Sequence, residues 1–559
     1  MFPSIERLSE KQSVLYILII ISAAALSFLM FQNGFPIGYD YKHQIVAMDA
    51  VLTQMHNGEA YPRWLSDVNN GFGGLNLFFY PPLIYYTGFL IDTITMQNLS
   101  ITQILCGVGF TFLSLSGISF YIFAQTITSK KKALIASIIY ISLPYHLWFE
   151  IYERNALSEL SAYIWPPLIF YFLNNIFLRR SNAILGLSLS YAFLIISHLP
   201  TAVFTGLFAG FYAIIRMVEL KSLSYTISLS FAFILSIGLS ALYLYPALSL
   251  LDHTNSNYLW SGYYDYKNWF IFPPSQSISP DISLRLFVIA LLQCLIVPLS
   301  CIIMAKDNKQ DILRYGALSL TCFFLMTQAS QGLWSAFPPL QKIQFPWRLL
   351  LISDFLYTVL LCYALHNIRT IRSLTFPVKS TLIICAGLHI ATHIYIAQYV
   401  QRSPHPPTHE FEKAINNKFL TQEFIPDNPQ FTASINDLLN TEHKILNIVK
   451  GTADITLNRK EPRHIALNVH AQTDTTIEIG QFHFHGWEVL KNKENITENV
   501  NIRNAKPFGQ IRIDIPKGQY SLSLTIPPLP QEIIGLIISV CSILIWLLGY
   551  LLLLKRKQQ

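Results

Sequence analysis

Charged and imidazole side chains are sparse in this chain, so the places where they gather limit the chemistry it can do. The densest gathering is GYDYKHQIVAMDAVLTQMHNGEAYPRWLSDVNNGFGG, beginning at Gly38. Asp40 and His43 stand three apart, so on a helix beginning near Asp40 they share a face. A carboxylate placed this way can take the proton of an attacking hydroxyl. The same residue after a glycine-containing turn also fits a helix N-cap, and the spacing alone leans to the cap.

Four more groups stand out. Tyr152-Glu153-Arg154-Asn155, with Glu159 a turn further on, places charge where an apolar run begins. An acid there is favoured by the helix dipole, yet an acid entering an apolar span is costly and commonly functional. His198 beside Pro200 either binds substrate or satisfies a broken helix end. Arg63, Arg154 and Arg348 carry planar forks that suit phosphate, against the simpler reading that they anchor loops at lipid headgroups. Asp354 follows Arg348 by six residues, about 9 Å along a helix, and either faces the same cavity or pairs internally.

Metal chemistry has weaker support. Asp40 and Asp49 are too far apart in sequence for a tight acidic pair, and His389 and His393 read as interfacial packing. His464, His470, His483 and His485 fall in alternating segments, where zinc would need a third ligand brought close. No cofactor is assigned, and a divalent ion is left open. The cysteines all lie in apolar runs without a CxxC, which predicts neither disulfides nor a zinc-thiolate site.

The elements that must position these residues are membrane helices. Of 559 residues 52% are hydrophobic and only 13% charged, with mean hydropathy +0.39. That excludes a soluble multidomain enzyme and predicts a polytopic all-α membrane protein. The net charge of +7 is spread over short basic clusters, Lys130 to Lys132 and Arg179-Arg180 among them, which read as cytoplasmic topology marks and not as a nucleic-acid patch.

Spans are expected near 13–31, 99–127, 133–149, 157–177, 183–197, 200–216, 223–250, 284–304, 314–328, 347–367, 379–398 and 531–554. These make about twelve helices, with the first a retained anchor and both termini cytoplasmic. Leu75 to Ile94, broken at Pro81-Pro82, fits an interfacial or re-entrant helix. Residues 1–398 thus form the transmembrane domain with outer loops 32–76 and 251–283. Residues 399–530 alternate with a period of two and predict an extracytoplasmic β-rich domain, and 531–559 a final span with a basic tail. Trp260, Tyr263, Tyr264 and Trp269 in the second loop suit either an interfacial belt or a sugar-stacking surface.

Several motifs together carry a resemblance: GEAYPRW at Gly58, the glycine-rich turn Gly71 to Gly74, YPPL at Tyr80, YERNALSE at Tyr152, HLPT at His198, FPWR at Phe345, and GQYSLSLTIPP before the last span. With an acid just after span one, the chain resembles the GT-C glycosyltransferases. It looks most like the bacterial membrane branch labelled YfhO-like or 6-pyruvoyl-tetrahydropterin-synthase-related. The resemblance implies transfer of a sugar from a polyprenyl-phosphate carrier to a glycan, lipid or protein acceptor at the outer face of a bacterial inner membrane. It implies Asp40 as the catalytic base, with His43, Arg63, Glu153, Arg154, Glu159, His198 and Arg348 binding substrate. The rival readings are a flippase or transporter of a lipid-linked substrate, and a non-catalytic envelope assembly protein.

Overall fold

The computed structural model describes residues 10–296, 308–367, 387, 390–391, 393–394, 398, 409–420, 425–426, 434–491, 494–495 and 503–558. Among them, five helices are long and apolar enough to cross a bilayer: Ile101–Ala124, Lys130–Arg154, Leu199–Glu219, Pro346–His366 and Pro530–Lys555. A sixth arises if Tyr225–Leu239 and Ala241–Ser249, bent by 76°, form one span. Gln12–Leu26, Leu83–Ile94 and Ala183–Ser197 are shorter apolar helices. Most of the expected span 379–398, including His389, lies outside the described residues, as does the end of 284–304.

Several expected spans are interrupted, each for a local reason. The first breaks at Ser27, whose hydroxyl donates back to the Ala23 carbonyl at 2.7 Å and competes with the helix ladder. The third pauses at Leu143, extended because Pro144 follows, and resumes as a wide π-helix over Tyr145–Arg154, past the expected end. The fourth restarts at Trp165, where Pro166 and Pro167 occupy first-turn positions that need no N–H partner. The segment 75–94 splits at its prolines into Asn76–Phe79 and Leu83–Ile94.

Among the described residues of 446–525 there are nine strands, and every pairing between them is antiparallel. One sheet has the order β1 (Leu446–Lys450), β4 (Thr475–Phe482), β8 (Gln510–Ile515), β7 (Arg503–Ala505). The other runs β2 (Ala453–Glu461), β3 (His464–Ala471), β9 (Gly518–Thr525), β5 (Glu488–Lys491), β6 (Glu494–Asn495). The Pro516-Lys517-Gly518 turn carries the chain from one sheet to the other. Alternate residues such as Ile465, Leu467 and Val469 on β3, and Ile511 and Ile513 on β8, are buried in one shared core.

That core is completed by the loop between the first helices. Trp64, Phe72 and Phe78 are buried in it. Trp64 donates its indole N–H to Gln481 Oε1 at 3.0 Å, and Gln481 Nε2 donates to the carbonyls of Gly71 at 2.6 Å and Ser66 at 3.1 Å. Phe482 N–H donates to the Phe72 carbonyl at 2.7 Å. Gly73, at φ +86°, must be glycine, because a Cβ there would lie 2.7 Å from the Trp64 ring.

The last helix is only 11% buried over its apolar window, as suits lipid contact on most sides. At its start Glu532 takes Arg63 Nε at 3.0 Å and Arg463 Nη2 at 3.0 Å, tying helix, loop and β3 flank together. Lower down, Ser539 Oγ accepts Leu242 N–H at 2.7 Å, which satisfies a backbone donor freed at the 76° bend.

Trp64→Ala removes a large buried side chain from this shared core and is expected to cost about 3–5 kcal/mol. Thermal unfolding of the purified protein in detergent, followed by tryptophan fluorescence, should show a clearly lowered midpoint.

Candidate functional site

The site is built where the π-helix ends. Asn155 closes it in the left-handed conformation, φ 62°, and its Nδ2 donates back to the Ile151 carbonyl at 2.7 Å. Asn155 Oδ1 then accepts Gly38 N–H at 2.6 Å, and its carbonyl accepts Gln44 Nε2 at 3.0 Å. Alongside, Tyr39 N–H donates to the Glu153 carbonyl at 3.2 Å and Asp40 N–H to the Arg154 carbonyl at 2.8 Å. The Gly38–Asp40 segment is therefore laid along residues 153–155. Gly38 makes this approach possible, since a Cβ there would lie 2.4 Å from Asn155 Oδ1 and 2.5 Å from the Glu153 carbonyl oxygen.

Asp40 precedes the helix Tyr41–His56, but its side chain makes no capping bond. The carboxyl is half-buried and lies within electrostatic reach of Arg154, Arg348 and Glu159. Burial pushes its pKa above the ordinary carboxylate value; the two guanidinium charges oppose the rise and Glu159 adds to it.

Beneath it lies a buried ion cluster. Arg154 Nη1 contacts Glu150 Oε1 at 2.8 Å and Glu159 Oε2 at 2.9 Å. Arg348 Nε stands 3.4 Å from the same Glu159 oxygen, and Tyr145 donates its hydroxyl to Glu159 Oε1 at 2.9 Å. Trp347 lies under the Arg154 guanidinium, 4.8 Å from ring centroid to Cζ, and Phe345 stands at the same distance from Arg348. Arg348 also donates to the Ile343 carbonyl at 2.7 Å. Both forks are thus oriented by packing and by bonds.

Of the residues singled out in the sequence, Asp40, Arg154, Glu159 and Arg348 meet here. His198 joins them within electrostatic reach of Glu159, its Nδ1 2.7 Å from Thr201 Oγ1 at the junction of two helices. His43 is buried on the next turn after Asp40, its ring centroid 4.5 Å from that of Tyr80. Among the described residues neither of its ring nitrogens has a hydrogen-bond partner, and burial with Lys42 nearby lowers its pKa to about 4, which keeps it neutral.

Two expected residues lie elsewhere. Arg63 belongs to the Glu532 knot and donates to the Leu242 carbonyl at 2.7 Å. The Glu153 side chain is paired with Arg285 at 2.8 Å, so only its backbone serves the Asp40 segment. Asp354 pairs internally, accepting from Tyr163 at 2.8 Å and Gln293 at 2.6 Å. Glu150 and Tyr145 are site residues that sequence reading passes over, and Asn155 and Trp347 stand in its motifs without a role of their own. Glu150 had a signal, standing four residues before Arg154.

No three His, Cys, Asp or Glu side chains gather as metal ligands among the described residues. His464 Nε2 lies 2.8 Å from Ser523 Oγ, and His485 stacks on His253. Trp269, one of the loop aromatics, is buried, and its indole donates to the Tyr263 carbonyl at 2.7 Å.

Residues 77–400, which hold the whole ion cluster but not Asp40, match the membrane-protein family described as 6-pyruvoyl-tetrahydropterin synthase related domain. The chain belongs to this family. An uncharacterized protein of Lactococcus lactis subsp. cremoris (strain MG1363) is 26% identical over 265 residues, which is 45% of this chain and 41% of that protein. Among solved structures, the arabinofuranosyltransferase AftD from Mycobacteria superposes with TM-score 0.42 at 12% identity, over 67% of this chain and 26% of AftD. The oligosaccharyltransferase AglB from Archaeoglobus fulgidus, solved with an inhibitory peptide and a dolichol-phosphate, gives TM-score 0.39 at 12% identity, over 76% of this chain and 62% of AglB. The chain spans less than two thirds of the length of each of these proteins.

Arg154→Met leaves Glu150 and Glu159 buried without their shared cation and should cost about 3–5 kcal/mol, read as a large fall in thermal midpoint. Gly38→Ala should lower that midpoint by less than Arg154→Met does, while the amides of residues 39 and 40 exchange hydrogen faster as the segment lifts off Asn155.

Proposed function

We propose that this protein is a membrane glycosyltransferase of GT-C type that moves a sugar from a polyprenyl-phosphate carrier to an acceptor hydroxyl. The observation that carries the reading is the half-buried Asp40 carboxyl, held by its own backbone over Arg154 and Arg348 and left without a capping bond. Asp40 is the general base. Its raised pKa strengthens its deprotonated form as a proton acceptor from the attacking hydroxyl.

The leaving lipid phosphate needs cationic stabilisation and little acid help. Arg154 and Arg348 supply it, with Glu150 and Glu159 holding their forks in place and moderating the charge. His43, neutral and with unpaired ring nitrogens, and His198 complete the polar wall and bind substrate hydroxyls. Glu153 and Arg63, proposed from sequence as substrate-binding, act here by holding the loop. The reaction is a single displacement on the outer side of the inner membrane, with the β domain outside, both termini cytoplasmic and about twelve spans by the hydropathy count.

Asp40→Asn should reduce transfer from a synthetic polyprenyl-phosphate sugar by about 100- to 10,000-fold while the thermal midpoint holds. Because the base works deprotonated, wild-type kcat/KM should rise with pH through the Asp40 pKa, with the midpoint above the ordinary carboxylate value. A folded Asp40→Asn protein with full activity would remove the assignment. Carrier movement across vesicles without any glycosidic product would replace the whole reading with a flippase.

A further inference from the structure

The helix Tyr41–His56 that follows Asp40 is gripped on its side by a short strap, Asn417–Leu420, that leads into the β region. Lys42 Nζ sits 4.7 Å above the Phe419 ring, two residues from Asp40. Two turns on, Lys418 Nζ meets Asp49 Oδ2 at 2.8 Å. The strap is itself sewn to the loop beyond the helix: Asn69 N–H donates to the Lys418 carbonyl at 2.9 Å, Asn70 N–H to the Asn417 carbonyl at 2.7 Å, and Leu420 N–H to Asn69 Oδ1 at 3.1 Å.

Phe419 is buried in the core of the β region, and Leu420, its neighbour, in the core of the helices. One peptide therefore joins the two cores. Asn69, Asn70 and Lys418 all adopt left-handed backbone, φ 53°, 57° and 49°. Asparagine tolerates this conformation and lysine less so. The three turns face one another and are held by the Asn69–Lys418, Asn70–Asn417 and Leu420–Asn69 hydrogen bonds.

We propose that this strap, through Phe419 and Lys418, sets the position of Asp40, so that the β region is a working part of the site and not an appended binding module. The inference rests on the reading of Asp40 as the functional carboxylate. Phe419 and Lys418 are positioning residues: they touch the helix that carries Asp40 and not the reacting atoms.

The test uses the full-length protein in detergent or nanodiscs with Phe419→Ala, Phe419→Tyr and Lys418→Met. Lys418 and Asp49 are part-exposed, so Lys418→Met keeps the question answerable if Phe419→Ala fails to fold. Hydrogen exchange at the amides of Tyr39 and Asp40 should quicken by roughly tenfold or more in Phe419→Ala and by less in Lys418→Met, with the β8 and β9 amides still protected. Phe419→Tyr keeps the ring under Lys42 and should restore slow exchange.

In the same variants the acid limb of the transfer reaction should move toward the ordinary carboxylate value, because a loosened Asp40 is better hydrated; Arg154, Arg348 and Glu159 remain the charges that face it. A merely unfolded fraction lowers the rate without moving that limb. Unchanged exchange at residues 39–44 in folded Phe419→Ala and Lys418→Met overturns the proposal. Quickened exchange in a protein whose transfer shows no carboxylate limb sustains the positioning and removes Asp40 as base.

Discussion

At the end of the π-helix, Asn155 has to stop a widened helix, turn the chain and take the N–H of Gly38, 117 residues earlier. Its side chain does two of these tasks at once, donating from Nδ2 to Ile151 and accepting at Oδ1 from Gly38. Nearly everything at the site follows from that residue. It brings the Gly38–Asp40 segment against Glu153 and Arg154, which sets Asp40 over the arginine pair. It also ends the π-helix just after Arg154, so that Glu159 on the next helix can share the guanidinium with Glu150. In an apolar surrounding such groups persist only when each is paired, and this one turn does most of the pairing.

The charges of the protein fall into separate knots with different work. The Arg63–Glu532–Arg463 group joins loop, last helix and β region. The Arg285–Glu153 pair backs the carbonyl that receives Tyr39. The Arg154–Glu150–Glu159–Arg348 group lies beside Asp40, a carboxyl that makes no capping bond. An arginine that the sequence offers as a phosphate ligand can thus be a structural tie, as Arg63 is; what distinguishes Arg154 and Arg348 from it is the company of Asp40.

Membrane character, the long helices at Ile101 and Pro530, and the antiparallel strands were legible in the sequence, because run length and a period of two are local properties. The helix interruptions were less so. Ser27 looks like any small residue until its hydroxyl is seen on the Ala23 carbonyl, and the π-helix after Pro144 carries no periodic mark of its own. Asp40, Arg154, Glu159 and Arg348 could be picked out by type and place. That Arg63 would leave them for Glu532 could not, since the partner lies near the other end of the chain. The recruitment of Trp64, Phe72 and Phe78 into the β core is also invisible locally, since glycine-rich aromatic loops read as interfacial.

The threading of that loop through the β core has a consequence for the order of synthesis. Trp64 and its acceptor Gln481 are separated by 417 positions, so the loop emerges long before the strands that cover it. Through that interval three large aromatic faces wait uncovered beside the nascent helices, and contacts of such separation form late. Loss of the strands would therefore strand apolar surface in the first loop as well as remove a domain. A polypeptide interrupted in its last fifth would carry its defect at its beginning, where a protease or chaperone patrolling the membrane surface would meet it.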